Sequence, residues 1–212
     1  MHHGWSYPDA DEQMWREQSI AGGYQASHLI EAMRYVTDKS LAVDGGAHVG
    51  TWSLTLSRVF RRVIAVEPAV DTFECLRANM ARFDRTNVDT VNVALGLRSG
   101  FVTMALDGKP AKNKNTGGRH VERGGTIRCE TIDDWNLPSL GFLKLDIEGS
   151  EPMALEGAAL TLTRCKPVVL FEDKGFCTRY GYAKDAPQRI LESFGYEHKA
   201  RVGKDEIWTV RA

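Results

Sequence analysis

Leu41-Ala-Val-Asp-Gly-Gly-Ala-His-Val-Gly50 is the stretch whose reading decides the fold. Leu41 to Asp44 is short and apolar enough for a buried strand. Gly45, Gly46 and Ala47 are small enough for a tight turn, and Thr51 to Phe60 spaces Trp52, Leu54, Leu56 and Val59 among polar residues as a helix does. A strand, a glycine-bearing turn and a helix in direct succession let backbone approach a ligand closely and aim helix-start N–H groups at its anionic parts. The second strand, Val63-Ile-Ala-Val66, follows after a short link and runs into Glu67 and Pro68. An acid at the end of that strand accepts hydrogen bonds from both ribose hydroxyls of an adenosine.

Outward from this unit the same alternation continues. A helix is predicted from about Val70 to Phe83, with Phe73, Leu76, Met80 and Phe83 at helical spacing, then a third strand over Val88 to Val93. Phe142 to Ile147 is a strand, Ser150 to Thr163 a helix, and Pro167 to Phe171 a strand. A helix from Ala186 to Phe194 precedes strands at Tyr196 to Val202 and Ile207 to Val210, with Gly203-Lys-Asp as the hairpin turn between them. The predicted architecture is α/β and Rossmann-like, with seven principal strands, mostly parallel, and a last strand returning antiparallel. Between residues 100 and 130 the pattern differs. Phe101 to Leu106 and Thr126 to Glu130 read as an inserted hairpin flanking a polar, basic segment, either a mobile loop beside the site or a solvated tip. Residues 1–40 form an N-terminal extension or cap with a helix near Ala26 to Val36, and residues 41–212 form the main domain.

Composition narrows the class. With 212 residues the chain suits one domain, and 27 Lys plus Arg against 28 Asp plus Glu give a net charge of -1, which offers no general attraction to nucleic acid or anionic membrane. No apolar run is long enough to span a bilayer and the start lacks a signal-peptide core, so a cytoplasmic location is expected. Cys75, Cys129, Cys165 and Cys177 are scattered without a C-x-x-C pair and read as reduced thiols.

The glycine turn with a downstream acid suits dinucleotides as well as other adenosine cofactors. Two details separate them. Ala47 stands where a dinucleotide turn needs glycine, and Asp44 suits the cationic amino-acid end of S-adenosylmethionine while repelling a pyrophosphate.

Beyond the turn, Val66-Glu-Pro, Asn92-Val-Ala-Leu-Gly96, Thr131-Ile-Asp-Asp-Trp and Phe142-Leu-Lys-Leu-Asp-Ile-Glu-Gly-Ser-Glu151 follow in order. Together with Asp44 to Ser53 they resemble the FkbM-type family of class I S-adenosylmethionine-dependent methyltransferases, associated mostly with O-methylation of sugars and natural products. The resemblance implies that Asp44, Gly45, Gly46, Ala47 and Gly50 line the methionine and ribose portions of the cofactor. It also implies that Glu67, beside Pro68, holds the ribose and that Val93 and Ala94 border adenine. His48 replaces the asparagine common in the motif, and it either touches the cofactor carboxylate or caps the following helix. Tyr24-Gln25 resembles a segment that closes over the cofactor, which adds Gln25 to the binding set.

Methyl transfer to a sugar-like hydroxyl requires in-line positioning and removal of a proton. In an open parallel sheet the ligand crevice lies beyond the carboxyl ends of the strands, where Asp44, Glu67 and Asp146 are expected. Asp146 is the leading candidate for the proton, as well as a cofactor neighbour, with Glu148, Glu172 and Lys174 supporting. A divalent cation on Asp146 and Glu172 is chemically compatible, although no ligand set is defined. Trp5, Tyr7, Trp15 and Tyr24 in the extension suit core packing, an acceptor wall or an oligomer contact. Expected partners are a small-molecule or glycan acceptor, with oligomeric state left open. A nicotinamide-dependent oxidoreductase and a catalytically silent cofactor-binding protein are the competing readings.

Overall fold

The computed structural model describes residues 4–8, 25–106 and 116–211. Strand β1 (Leu41–Gly45) is buried along its whole length and pairs in parallel with β2 (Arg62–Val66) on one side and β8 (Phe142–Leu145) on the other. With β3 (Val88–Val91), β9 (Val168–Glu172), β10 (Tyr196–Val202) and β11 (Asp205–Val210) they build a seven-stranded sheet in the order β10-β11-β9-β8-β1-β2-β3. Only β11 is reversed, antiparallel to both β9 and β10.

Strand alternation divides the apolar side chains between two faces. Val43, Leu143, Leu145 and Val169 meet helices α4 (Glu151–Glu156), α5 (Ala159–Cys165) and α6 (Ala186–Ser193) through Leu155, Leu162 and Leu191. Ala42, Phe142, Leu170 and Ile207 point the other way, toward Leu29 and Ala32 of α1 (Ala26–Met33) and Trp52 and Leu56 of α2 (Thr51–Leu56). Helix α3 (Val70–Arg82) adds Leu76 and Met80 beside Ala65. Trp5 of the extension packs against Phe83 at 4.9 Å between ring centroids with the rings tilted by 56°, a packing role, whereas Trp15 and Tyr24 lie outside the described residues.

Three elements depart from the sequence reading. The third strand stops at Val91, and the chain turns away where the Asn92 amide donates to the carbonyls of Glu67 and Pro68, at 2.8 and 3.1 Å. Ala94–Leu95 (β4) then enters a second sheet. In that sheet β5 (Gly100–Leu106) takes Arg119–Arg123 (β6) as its hairpin partner, while Ile127–Glu130 (β7) runs along the other edge of β5, giving the order β4-β7-β5-β6. The expected pairing across residues 107–118 therefore shifts, and residues 107–115 lie outside the described part. The helix predicted over Ser150 to Thr163 is two helices, α4 and α5. It breaks at Gly157, where a Cβ would stand 2.1 Å from the Gly96 carbonyl, and restarts where the Asp133 carboxylate accepts the N–H groups of Leu160 and Thr161. No helix among the described residues is long and apolar enough to cross a membrane.

Candidate active site

A cavity of about 950 Å³ opens beyond the carboxyl ends of the parallel strands, walled by α1 and the second sheet. It is at the upper end of the size range of ligand pockets, roughly 300–1,000 Å³. Its floor is the turn after β1. Gly46 has φ +74°, and a Cβ there would lie 1.9 Å from the Asp146 carbonyl, so only glycine lets the turns after β1 and β8 cross. The N–H groups of Gly46 and Ala47 both donate to the Val66 carbonyl, at 3.0 and 2.9 Å. Gly46, Ala47 and His48 line the cavity.

Asp44, Gly45 and Gly50 lie behind this lining. Gly45 packs where a Cβ would meet the side chains of Leu145 and Leu95, and Gly50 (φ +96°) where one would meet Leu76 and Met80. Asp44 is wholly buried, 3.0 Å from Lys144 Nζ, and accepts a hydrogen bond from Ser53 Oγ at 2.6 Å. Its charge is answered inside the protein by Lys144. Burial pushes the Lys144 ammonium down, but the charges of Asp44 and Asp146 outweigh it and hold it above its ordinary value.

His48 adopts φ +51°, a left-handed conformation that asparagine tolerates well. Its imidazole neither caps α2 nor stands free. Nε2 lies 2.8 Å from Thr116 Oγ1 and ties the turn to the second sheet. The backbone N–H of His48 donates to Glu67 Oε2 at 3.0 Å, and that of Ala69 donates to Oε1 at 2.9 Å. Glu67 is thus fixed at the end of β2, facing the cavity with Pro68, Val93 and Ala94, and burial pushes its carboxyl up to about 7. Gln25 lines the wall and accepts a hydrogen bond from Trp52 Nε1 at 2.5 Å.

The four predicted catalytic residues do converge. Asp146, Glu148, Glu172 and Lys174 all face the cavity. Lys174 Nζ reaches Glu148 Oε1 at 2.8 Å and Glu172 Oε2 at 2.5 Å. Asp146 and Glu172 share a hydrogen bond. Burial and the Asp146 charge push Glu172 up to about 8, so near neutrality it carries the shared proton. Burial pushes Asp146 up as well, but Lys144, the Glu172 hydrogen bond and Lys174 outweigh it and hold the carboxylate below its usual range. Asp146 is therefore held toward its anionic form. Carboxylate oxygens of Asp146, Glu148 and Glu172 lie within 4.8 Å of one another, and the Lys174 ammonium contacts two of the three carboxyl groups, in the position a cation would take.

Sequence reasoning did not single out other lining residues: His28 on α1, Thr116 at the end of the 107–118 segment expected beside the site, Arg119 on β6, and Lys204 and Asp205 at the β10–β11 turn. Arg119 makes a two-pronged ion pair with Asp71 at the start of α3, with Nη2 to Oδ2 at 2.8 Å. None of these belongs to a local motif, and the hairpin turn gave only a conformational signal.

Several buried acids give the fold a pH dependence. Burial raises Glu67 and Glu151 to about 7 and, with the Asp146 charge, Glu172 to about 8. Such a carboxyl keeps a proton in the folded state that the unfolded chain has already lost, so its contribution is present below the unfolded value and is lost as pH rises through the folded one. Acids held low, such as Asp71 and Glu206, have given their full contribution by about pH 5 and do not offset this. Stability is expected to fall by on the order of 2 kcal/mol or more between pH 5 and 8, because a proton held in the folded state alone is worth about 1.4 kcal/mol for each step of one in pH. Urea unfolding midpoints across that range check it, and a rising midpoint would contradict it.

Comparison with known proteins gives a consistent picture. Residues 44–197 match the family described as the methyltransferase FkbM domain. A hexuronic acid methyltransferase of Haloferax volcanii is 24% identical over 163 residues, covering 75% of this chain and 66% of that protein. The crystal structure of a methyltransferase FkbM from Methylobacillus flagellatus KT superposes with a TM-score of 0.60 at 21% identity, over 89% of this chain and 47% of that one. A SAM-dependent methyltransferase from Aquifex aeolicus superposes with a TM-score of 0.50 at 11% identity, over 87% and 89% of the two chains. The chain thus spans just under two thirds of the curated relative and about half of the first of these structures.

Proposed function

The chain belongs to the FkbM methyltransferase domain family, and on that premise we propose that it is an S-adenosylmethionine-dependent O-methyltransferase acting on a hydroxyl of a sugar or similar small polar molecule. The observation that carries this reading is Glu67. It is a buried carboxylate at the end of β2, aimed by two backbone N–H groups, with lone pairs left for the two hydroxyls of a ribose. Val93 and Ala94 offer an apolar border for adenine beside it. Bound in this cavity, S-adenosylmethionine supplies a methyl group on a cationic sulfur.

The protein's own residues then orient the reactants and exclude water. Gly46 and Ala47 set the floor, Gln25 and Trp52 on the α1 side close the wall, and ionised Asp146 complements positive charge above the end of β8. The N-terminal helix and the second sheet wall the cavity, and the hexuronic acid named for the Haloferax relative makes a sugar acceptor the first to test. A nicotinamide reading would need room for a pyrophosphate at the same turn, next to the Asp146 anion.

Calorimetry with S-adenosylmethionine, S-adenosylhomocysteine and NAD, followed by labelled methyl transfer to uronic acids and neutral sugars, tests the proposal. Both adenosyl ligands are expected to bind and NAD to fail. Glu67→Ala should weaken adenosyl binding by about 10- to 100-fold, since two charge-assisted hydrogen bonds are worth about 1.5–3 kcal/mol or more. NAD binding without adenosyl binding would overturn the reading.

A further inference from the structure

The four charged groups at the ends of β8 and β9 answer one another. Glu172 holds a proton, Glu148 and Glu172 contact Lys174, and Asp146 is stabilised as an anion. All four are already engaged with one another. A histidine is the side chain suited to exchanging a proton near neutral pH, and one lines the same cavity. His28 sits on α1 with Nδ1 3.3 Å from Oδ2 of Asp205, a residue only 4% exposed.

The position of this pair indicates its use. Asp205 is the cross-strand partner of Glu172, on β11, and β11 stands four strand steps from β2, where Glu67 marks the ribose end. At about 4.8 Å per step, β11 lies roughly 19 Å across the sheet from β2. Nδ1 is buried and makes no hydrogen bond, its approach to Asp205 being an ion-pair distance, and the 19% of the side chain that remains exposed lies elsewhere on the residue. Gly203 keeps the Nε2 edge uncrowded, because a Cβ there would come within 3.3 Å of Nε2.

We propose that His28, held by Asp205, is the group that takes the acceptor's proton, an inference that rests on the methyltransferase reading above. As the acceptor oxygen bonds to the methyl carbon, the carbon–sulfur bond breaks with its electron pair going to sulfur, and the sulfonium donor leaves as a neutral thioether. The acceptor's O–H bond breaks and the proton passes to Nε2, while Nδ1–H stays toward Asp205, whose charge stabilises the resulting imidazolium. The proton returns to water after product release. Burial and the Asp146 charge push the Asp205 carboxyl up, His28, Lys144 and Lys174 pull it down toward the anion, and Lys204 precedes it in the turn.

The test compares the full chain with His28→Gln and Asp205→Asn. S-adenosylhomocysteine binding by calorimetry is expected to change less than about twofold in His28→Gln. Turnover on a hydroxyl acceptor should fall about 10²- to 10³-fold, with loss of the acidic limb of the kcat/KM profile. Asp205→Asn should lower turnover less and shift that limb. Nitrogen NMR of the wild type should show the neutral ring protonated at Nδ1. A ring protonated at Nε2, or a His28→Gln variant with the acidic limb intact and turnover within threefold, would overturn the proposal while leaving the methyltransferase reading in place. So would full His28→Gln activity explained by a carboxylate acceptor, which arrives without a proton. Wild type that binds no adenosyl ligand would overturn both.

Discussion

Lys144→Met is expected to destabilise the protein by about 3–5 kcal/mol, because it strips the partner from a buried carboxylate. Only 3% of the Lys144 side chain and none of Asp44 is exposed, and the pair lies between the ends of β1 and β8, directly opposite in register. Methionine preserves the length and the apolar stem, so cavity formation contributes little. What remains is an Asp44 charge with Ser53 Oγ alone to answer it. Equilibrium urea unfolding measures the loss. The double variant Asp44→Asn, Lys144→Met should recover much of it, because a buried ion pair replaced as a unit is often close to neutral whereas a broken one is not. A single variant within about 1 kcal/mol of wild type would mean that the pair contributes little to the fold. The same substitution should also ease Asp146 toward its protonated form, since Lys144 is the main opposing charge that keeps it ionised.

Gly46→Ala is expected to remove adenosyl-ligand binding and to destabilise the fold by about 3 kcal/mol or more, combining overpacking of about 1–3 kcal/mol with about 1–2 kcal/mol for a left-handed non-glycine residue. The clash is with backbone, the Asp146 carbonyl at 1.9 Å, and cannot be relieved by a rotamer change. The turns after β1 and β8 must part, which displaces Ala47, His48 and, through the His48 N–H, Glu67. Gly181→Ala is the control. It has φ +83° with nothing within 4 Å of the added carbon, so it isolates the conformational contribution. Calorimetry with S-adenosylhomocysteine and urea unfolding of both variants decide the matter, and equal behaviour would show that the crossing is not required.

The parallel core was legible because its strands are buried on both faces and therefore read as uninterrupted apolar runs. Leu41 to Val43, Val63 to Val66 and Val168 to Phe171 announce themselves locally. Arg119–Arg123 did not, because its strand carries a single aliphatic residue and takes its place by pairing with β5. The division of α4 from α5 depends on the Gly96 carbonyl pressing on Gly157, a contact between distant segments. Site chemistry followed the same divide. Glu67, Asp146, Glu148, Glu172 and Lys174 stand at strand ends and could be placed by topology. His28 and Asp205 meet only when α1 crosses to the β10–β11 turn. The ion pair of Asp44 was not legible, because nothing near it in the chain reveals that Lys144, from a strand about a hundred residues later, arrives beside it.

The reversed strand β11 lies between β9 and β10, both of which precede it in the chain. During synthesis, β9 therefore leaves the ribosome with its outer edge unpaired, and it stays so until the last of the three strands has emerged. A half-made chain carries an open apolar sheet edge of the kind that invites association with other nascent chains. The strand that closes the edge also delivers Asp205. Until the sheet can no longer stick to its neighbours, the cavity lacks the residue that holds His28.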